Sequence, residues 1–174
     1  MTELDKMDEA GENSRQADPV TQIEARSRSY GDLARIFGEC TMSTSYGRIF
    51  KEVSEFGTDS RIWIPCPKCG EYVTCDRKDF SGWQDAKDLV EARARGHFSC
   101  PACAVEWTEL DRLGALRRPV IAARDQIVTR SGTLEGSAPA TNTWGFRWNA
   151  MHNALVNMGD IAEAEFRAER SGRP

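Results

Sequence analysis

Ile62-Trp-Ile-Pro-Cys66-Pro-Lys-Cys69-Gly-Glu-Tyr-Val73 is answered further along by His97-Phe-Ser-Cys100-Pro-Ala-Cys103-Ala-Val-Glu-Trp-Thr108. Each stretch brings an apolar run into a Cys-Pro-x-Cys turn and leaves it on a second apolar run. That layout predicts two β-hairpins, each with a tight two-thiol turn at its tip. A gap of two residues lets one turn present both sulfurs to a single ion. Two such turns complete a tetrahedral all-sulfur zinc site made by Cys66, Cys69, Cys100 and Cys103. Pro67 and Pro101 preorganise the turns.

The thirty residues between Cys69 and Cys100 exceed the usual loop of 15–20. Doubling a loop costs only about 0.6 kcal/mol of closure entropy, against the roughly 10–16 kcal/mol of a structural zinc. The long loop therefore does not oppose the assignment. Four cysteines close the coordination sphere and leave no position for water or substrate, so the predicted Zn²⁺ is structural.

The other chemistry-bearing residues read as ordinary surface or core. Disulfide exchange through one Cys-x-x-Cys is the rival, but a thioredoxin-like βαβ setting is missing. Cys75 breaks the symmetry of the repeat and Cys40 has no partner pattern, so both read as ordinary small residues. His97 precedes Cys100 by three and could join the site; a surface histidine is the plainer reading. His152 has still less to recommend it. Asp76, Asp79, Asp85 and Asp88 alternate with Arg77, Lys78 and Lys87 as on a solvated face. Trp63, Trp83, Trp107, Trp144 and Trp148 could stack bases, yet capping so small a core is the expected duty of most. Neither histidine stands in a hydrolase triad pattern. There is no G-x-x-x-x-G-K-[ST] sequence and no Gly-Lys dipeptide, so a phosphate-cradling P-loop is not expected.

Around the ribbon the chain divides into four stretches. Residues 1–29 hold five strongly apolar residues, Met1, Leu4, Met7, Val20 and Ile23. Such a stretch predicts a disordered acidic arm. Residues 30–60 read as helical: Leu33, Ile36 and Phe37 share helical spacing up to Gly38, and Ile49, Val53 and Phe56 up to Gly57. Residues 61–130 form the zinc-ribbon, with a helix over 84–96 facing inward through Ala86, Leu89, Val90 and Ala94. Residues 131–174 read as a Gly/Ser/Thr/Pro loop to 143, a strand at 144–148 and a last helix over 158–170. Asn157 with Asp160 predicts its cap, and Met158, Ile161, Ala162 and Phe166 its buried stripe. The fold class is α+β.

Charge is uneven. The 174 residues carry 23 Lys and Arg against 27 Asp and Glu. Residues 61–130 alone are net basic, 12 against 10, and they hold five of the six cysteines. Arg93, Arg95, Arg112, Arg117 and Arg118 are the candidate contacts should this stretch meet DNA, in a binding that would be weak and salt-dependent. No apolar run reaches transmembrane length. The polar N-terminus does not read as a secretory signal, which predicts a cytoplasmic setting where paired Cys-x-x-Cys elements bind metal.

Three blocks resemble one family. Thr41 to Val53 (TMSTSYGRIFKEV) is similar to the end of the ATPase domain of the phage terminase large subunit of GpA (lambda-like) type. Arg61 to Glu71 (RIWIPCPKCGE), with the second knuckle after Phe98, resembles that family's "V-P-C-P-H-C-G-E" and "C-P-x-C". Trp144 to His152 (WGFRWNAMH) and Met158 to Phe166 (MGDIAEAEF) resemble its "G-F-H-L-N-A-L-Y" and "W-x-E-L-A-x-E-F". Their order and spacing agree. Where the family's second knuckle ends in glycine, this chain has Ala104, which predicts a looser turn.

The resemblance implies a zinc-bearing connector from a DNA-packaging ATPase and nuclease. It covers about residues 40–169 and leaves the arm unplaced. The family's Walker motifs and nuclease carboxylates have no counterpart here, so a remnant, a split frame or an excerpt without activity of its own is expected. Double-stranded DNA and other terminase or packaging subunits are the implied partners. A free-standing zinc-ribbon adaptor for nucleic acid or protein is the alternative.

Overall fold

The computed structural model describes residues 19–42 and 47–172. Two compact units divide the chain: residues 1–59 with 141–145, and residues 60–140 with 146–174.

In the first unit, helix α1 spans Pro19–Ser27, inside the stretch expected to be disordered; residues 1–18 lie outside the described residues. Proline suits a first helical turn, Val20 and Ile23 share a face, and the Ser27 hydroxyl donates to the Ile23 carbonyl (2.9 Å). The helix expected after Tyr30 does not form. A 3₁₀ stretch at Arg28–Leu33 is broken at Gly31, whose φ is +52°, and the chain then runs on without helix. Leu33 is 86% exposed and Phe37 80%, so their helical spacing organises no buried face.

The second expected helix is present in shortened form. An α turn at Arg48–Phe50 passes into a π turn at Lys51–Glu55. Beyond it Gly57 bridges to Thr143 in parallel, and the Thr58 hydroxyl accepts from the Gly145 amide (3.2 Å). Residues 43–46 lie outside the described residues.

In the second unit, β1 (Ser60–Pro65) organises a four-stranded sheet. β2 (Tyr72–Val73) lies antiparallel to its end, with Ile64 opposite Val73. β5 (Val120–Ala122) lies antiparallel to its start, with Ile62 opposite Ile121. β8 (Phe146–Arg147) runs parallel, with Ser60 opposite Phe146. The first hairpin is thus as expected.

The second is present in shorter form: Ser99 bridges Glu106 antiparallel, and the Trp107 amide donates to the Phe98 carbonyl (2.8 Å). His97–Phe98, strand β4, also pairs with β3 (Phe80–Ser81), Phe80 opposite Phe98, a partner not expected. Phe80 and Phe98 are both buried, and that apolar pair explains the partner chosen. Strands β3 and β5 fall where no regular structure was expected, as do β6 (Ile127–Val128) and β7 (Leu134–Glu135), which form a hairpin.

Helix α2 (Leu89–Arg95) begins at Asp88, whose side chain accepts from the Glu91 amide, so it is shorter than expected. Its buried residue is Ala92; Val90 is 77% exposed. Helix α3 (Glu109–Ala115), unforeseen, starts with a capping box between Thr108 and Asp111. Helix α4 (Met158–Arg170) has the expected capping box of Asn157 and Asp160, and buries Met158, Ile161, Ala162 and Phe166. It packs on α2 through small residues: a Cβ on Gly96 would lie 2.3 Å from that of Ala162, so nothing larger than glycine fits there. Arg93 reaches across to Asp160 and to Glu163 (3.1 Å). Among the described residues, no helix is long and apolar enough to cross a membrane.

Candidate metal centre

The two knuckles are built alike. In the first, the Cys66 amide donates to the Glu71 carbonyl (2.8 Å) and the Gly70 amide to the Cys66 carbonyl (2.9 Å). In the second, the Cys100 amide donates to Val105 (2.9 Å) and the Ala104 amide to Cys100 (2.7 Å). Each knuckle closes through a residue at positive φ, +78° at Gly70 and +57° at Ala104. The looser second turn expected from alanine is absent. The paired hydrogen bonds hold Ala104 in the left-handed region despite its Cβ.

The four sulfurs converge. Cys66 Sγ lies 3.9 Å from Cys103 Sγ, and Cys69 Sγ 3.9 Å from Cys100 Sγ. All four sulfurs lie within 4.8 Å of one another. Four sulfurs each about 2.3 Å from a tetrahedral ion would stand roughly 3.8 Å apart, so the spacing fits a metal centre. No S–S bond links any pair.

The thiols differ. Burial raises the Cys66 pKa, but hydrogen bonds from the Cys69 and Lys68 amides outweigh it and bring the thiol down to about 7. Cys100 is pushed up to about 12, with burial the largest cause. Cys103 is exposed.

The remaining candidates stand elsewhere. Among the described residues these four cysteines are the one group of three or more ligating side chains close enough to share an ion. Cys75 is buried, and burial pushes its thiol up to about 12. Cys40 and His152 also lie outside the group. His97 is engaged with the Arg95 carbonyl (2.8 Å), Ser81 (3.3 Å) and Glu106 (3.4 Å). Asp88 caps α2, and Asp76 faces Arg61 at 3.8 Å. Trp83 and Trp107 are core residues, Trp107 meeting Phe98 edge-on at 4.9 Å. Trp144 and Trp148 are exposed.

One candidate DNA contact is overturned. Arg112 is fully buried. It grips the Glu109 carboxylate with two nitrogens (2.5 and 3.1 Å). It also donates to the carbonyls of Met151 (2.7 Å), Asn153 (3.1 Å) and Val156 (2.6 Å). A guanidinium with its donors so used is a clamp for the segment leading into α4. Arg93 is tied to α4, and Arg95 to Glu91 (3.3 Å). Arg117 and Arg118 remain exposed after α3. A residue the sequence did not point to, Arg130, sits against the first knuckle and donates to the Cys69 carbonyl.

The family model for the phage terminase large subunit gpA, ATPase domain, matches residues 1–120. The match takes in both knuckles and also the N-terminal stretch that the sequence reading left unplaced. No curated protein and no solved structure matches the chain.

Proposed function

This chain belongs to the phage terminase large subunit gpA family, and we propose that it is a zinc-binding module of a DNA-packaging protein, structural rather than catalytic. The observation that carries the zinc is the convergence of Cys66, Cys69, Cys100 and Cys103 from two matched knuckles. Thiolates in tetrahedral array select zinc among the common divalent ions, and four of them exclude a catalytic water.

The metal would supply folding free energy. β2, β3 and β4 are two residues each, too short to hold the knuckles together without a cross-link. No P-loop sequence occurs in these residues, so we assign the isolated chain no nucleotide turnover, and no DNA cleavage. Its partners in this reading are duplex DNA and other packaging subunits, met in the host cytoplasm, with the exposed Arg117 and Arg118 the candidate contacts.

Elemental analysis of the purified chain under reducing conditions tests the reading. One zinc per chain is expected, falling to near zero in Cys69→Ser and unchanged in Cys75→Ser and Cys40→Ser. Less than about a third of an equivalent in the wild type would overturn it, as would loss of zinc in Cys75→Ser.

A further inference from the structure

The two knuckles share a backbone but not their surroundings. Over the first lies Arg130, from the turn of the β6–β7 hairpin. It donates to the Cys69 carbonyl, and its Nε pairs with the Glu71 carboxylate at 3.6 Å. Gly70 makes room for it: a Cβ there would lie 3.1 Å from Arg130 Nε. The turn that presents Arg130 is fixed by its own hydroxyls. Thr129 Oγ1 lies 2.8 Å from Ser131 Oγ, donates to the Thr133 carbonyl (3.1 Å) and accepts from the Thr133 amide (3.1 Å). Gly132 lets the turn sit close on Tyr72, since a Cβ there would fall 2.7 Å from the Tyr72 hydroxyl. The hairpin is thereby seated on the strand that leaves the first knuckle.

The second knuckle has no such cover. Pro101, Ala102, Cys103 and Ala104 are all exposed. Among the described residues no side chain donates to the Cys103 carbonyl, the counterpart of the bond that Arg130 makes at Cys69.

We propose that Arg130 is a positioning residue for the metal centre, holding Cys66 and Cys69 in place so that the metal is lost through Cys100 and Cys103. This rests on the metal-binding reading above. Four thiolates about a divalent cation carry two net negative charges. A guanidinium beside them offsets part of that charge while its hydrogen bond fixes the peptide of one ligand. Outer partners of this kind typically alter metal affinity 10–100-fold; Arg130 is well exposed, which places its effect at the lower end.

The test is metal release from the full chain to excess chelator, followed through the cobalt-substituted site's thiolate absorption. Arg130→Ala should release metal about tenfold faster than wild type at unchanged stoichiometry. Arg130→Lys, which keeps charge without the fork, should fall between. With chelator limiting, maleimide labelling read by mass spectrometry should reach Cys103 before Cys66 and Cys69. In Arg130→Ala that order should be lost. Equal release rates in all three proteins, or first labelling at Cys66 and Cys69 in the wild type, overturn the proposal alone. A wild-type chain that takes up no metal overturns the metal reading and this proposal with it. The lysine variant keeps the comparison meaningful if the alanine variant does not fold.

Discussion

Gly70 and Ala104 occupy the same place on the two knuckles, and both are held at positive φ by a hydrogen bond from their amide to the carbonyl of the first cysteine of their pair. Glycine adopts that conformation freely, whereas alanine does so at a cost of roughly 1–2 kcal/mol. Part of the cost returns through the smaller entropy of the unfolded chain. Ala104→Gly should therefore raise stability by about 0.5–1 kcal/mol. Chemical denaturation of the metal-loaded chain would show it as a higher midpoint at unchanged slope. Gly70→Ala should lower the midpoint, because the new methyl also presses on Arg130.

What the sequence made legible were the features specified by local spacing. Two Cys-Pro-x-Cys turns define four ligands whatever surrounds them, and Asn157 with Asp160 defines the start of α4. The same spacing argument failed for Leu33, Ile36 and Phe37, because periodicity states only which residues could share a face, and nothing buries that one. Arg130 and Arg112 were out of reach for a different reason. Arg130 lies 61 residues from the carbonyl it binds, and Arg112 lies 39 to 44 residues from its carbonyls; neither has a motif. Arg112 was even misassigned to the surface, since an arginine is almost never fully buried unless paired. Strand β4 keeps its return leg and gains β3 as well, because Phe80, in a short and polar stretch, gives Phe98 a second apolar partner.

Arg112 supplies the second prediction. Its removal would leave the buried Met151 carbonyl and the partly buried carbonyls of Asn153 and Val156 without their donor, and Glu109 without its counter-charge. Glu109 also accepts from the Met158 amide (3.1 Å) at the start of α4, so the loss would reach the last helix. Arg112→Met should cost about 2–4 kcal/mol, chiefly through the carbonyls left without a donor, since the Glu109 carboxylate still reaches solvent. Urea denaturation with metal bound measures it. Replacing Arg95, whose partner Glu91 is on the surface, should cost no more than about 1 kcal/mol by the same measurement.

The latch between α2 and α4 sets a pH dependence. The Asp160 carboxyl lies below the ordinary carboxylate value because it accepts the Asn157 amide and pairs with the Arg93 guanidinium. A carboxyl whose folded pKa is depressed binds its proton more readily in the unfolded chain. Its stabilisation is therefore complete above the unfolded value, near 3.9, and is lost as pH falls through the lower folded value. Asp160→Asn should melt at a lower temperature than wild type at pH 7, and the two curves should converge in acid. Thermal melts of both proteins across pH 2–7 would check this. Metal loss in acid affects both alike, so the difference between them isolates Asp160.

DNA contact is the last property to be predicted. The net basic stretch of the sequence loses most of its charge to internal pairing: Arg112 is buried, and Arg93 and Arg95 face carboxylates. Arg117 and Arg118 remain exposed side by side after α3. With so few free cations, binding to duplex DNA should be weak and should fall steeply with salt. If both arginines meet phosphates, Arg117→Ala with Arg118→Ala should lessen the slope of log K against log salt by about 2. The loss should be the same for unrelated duplex sequences, because phosphate contacts carry no base information. Fluorescence anisotropy with a labelled duplex at several salt concentrations gives both quantities. A slope that the double substitution leaves unaltered would move the DNA-facing surface away from α3.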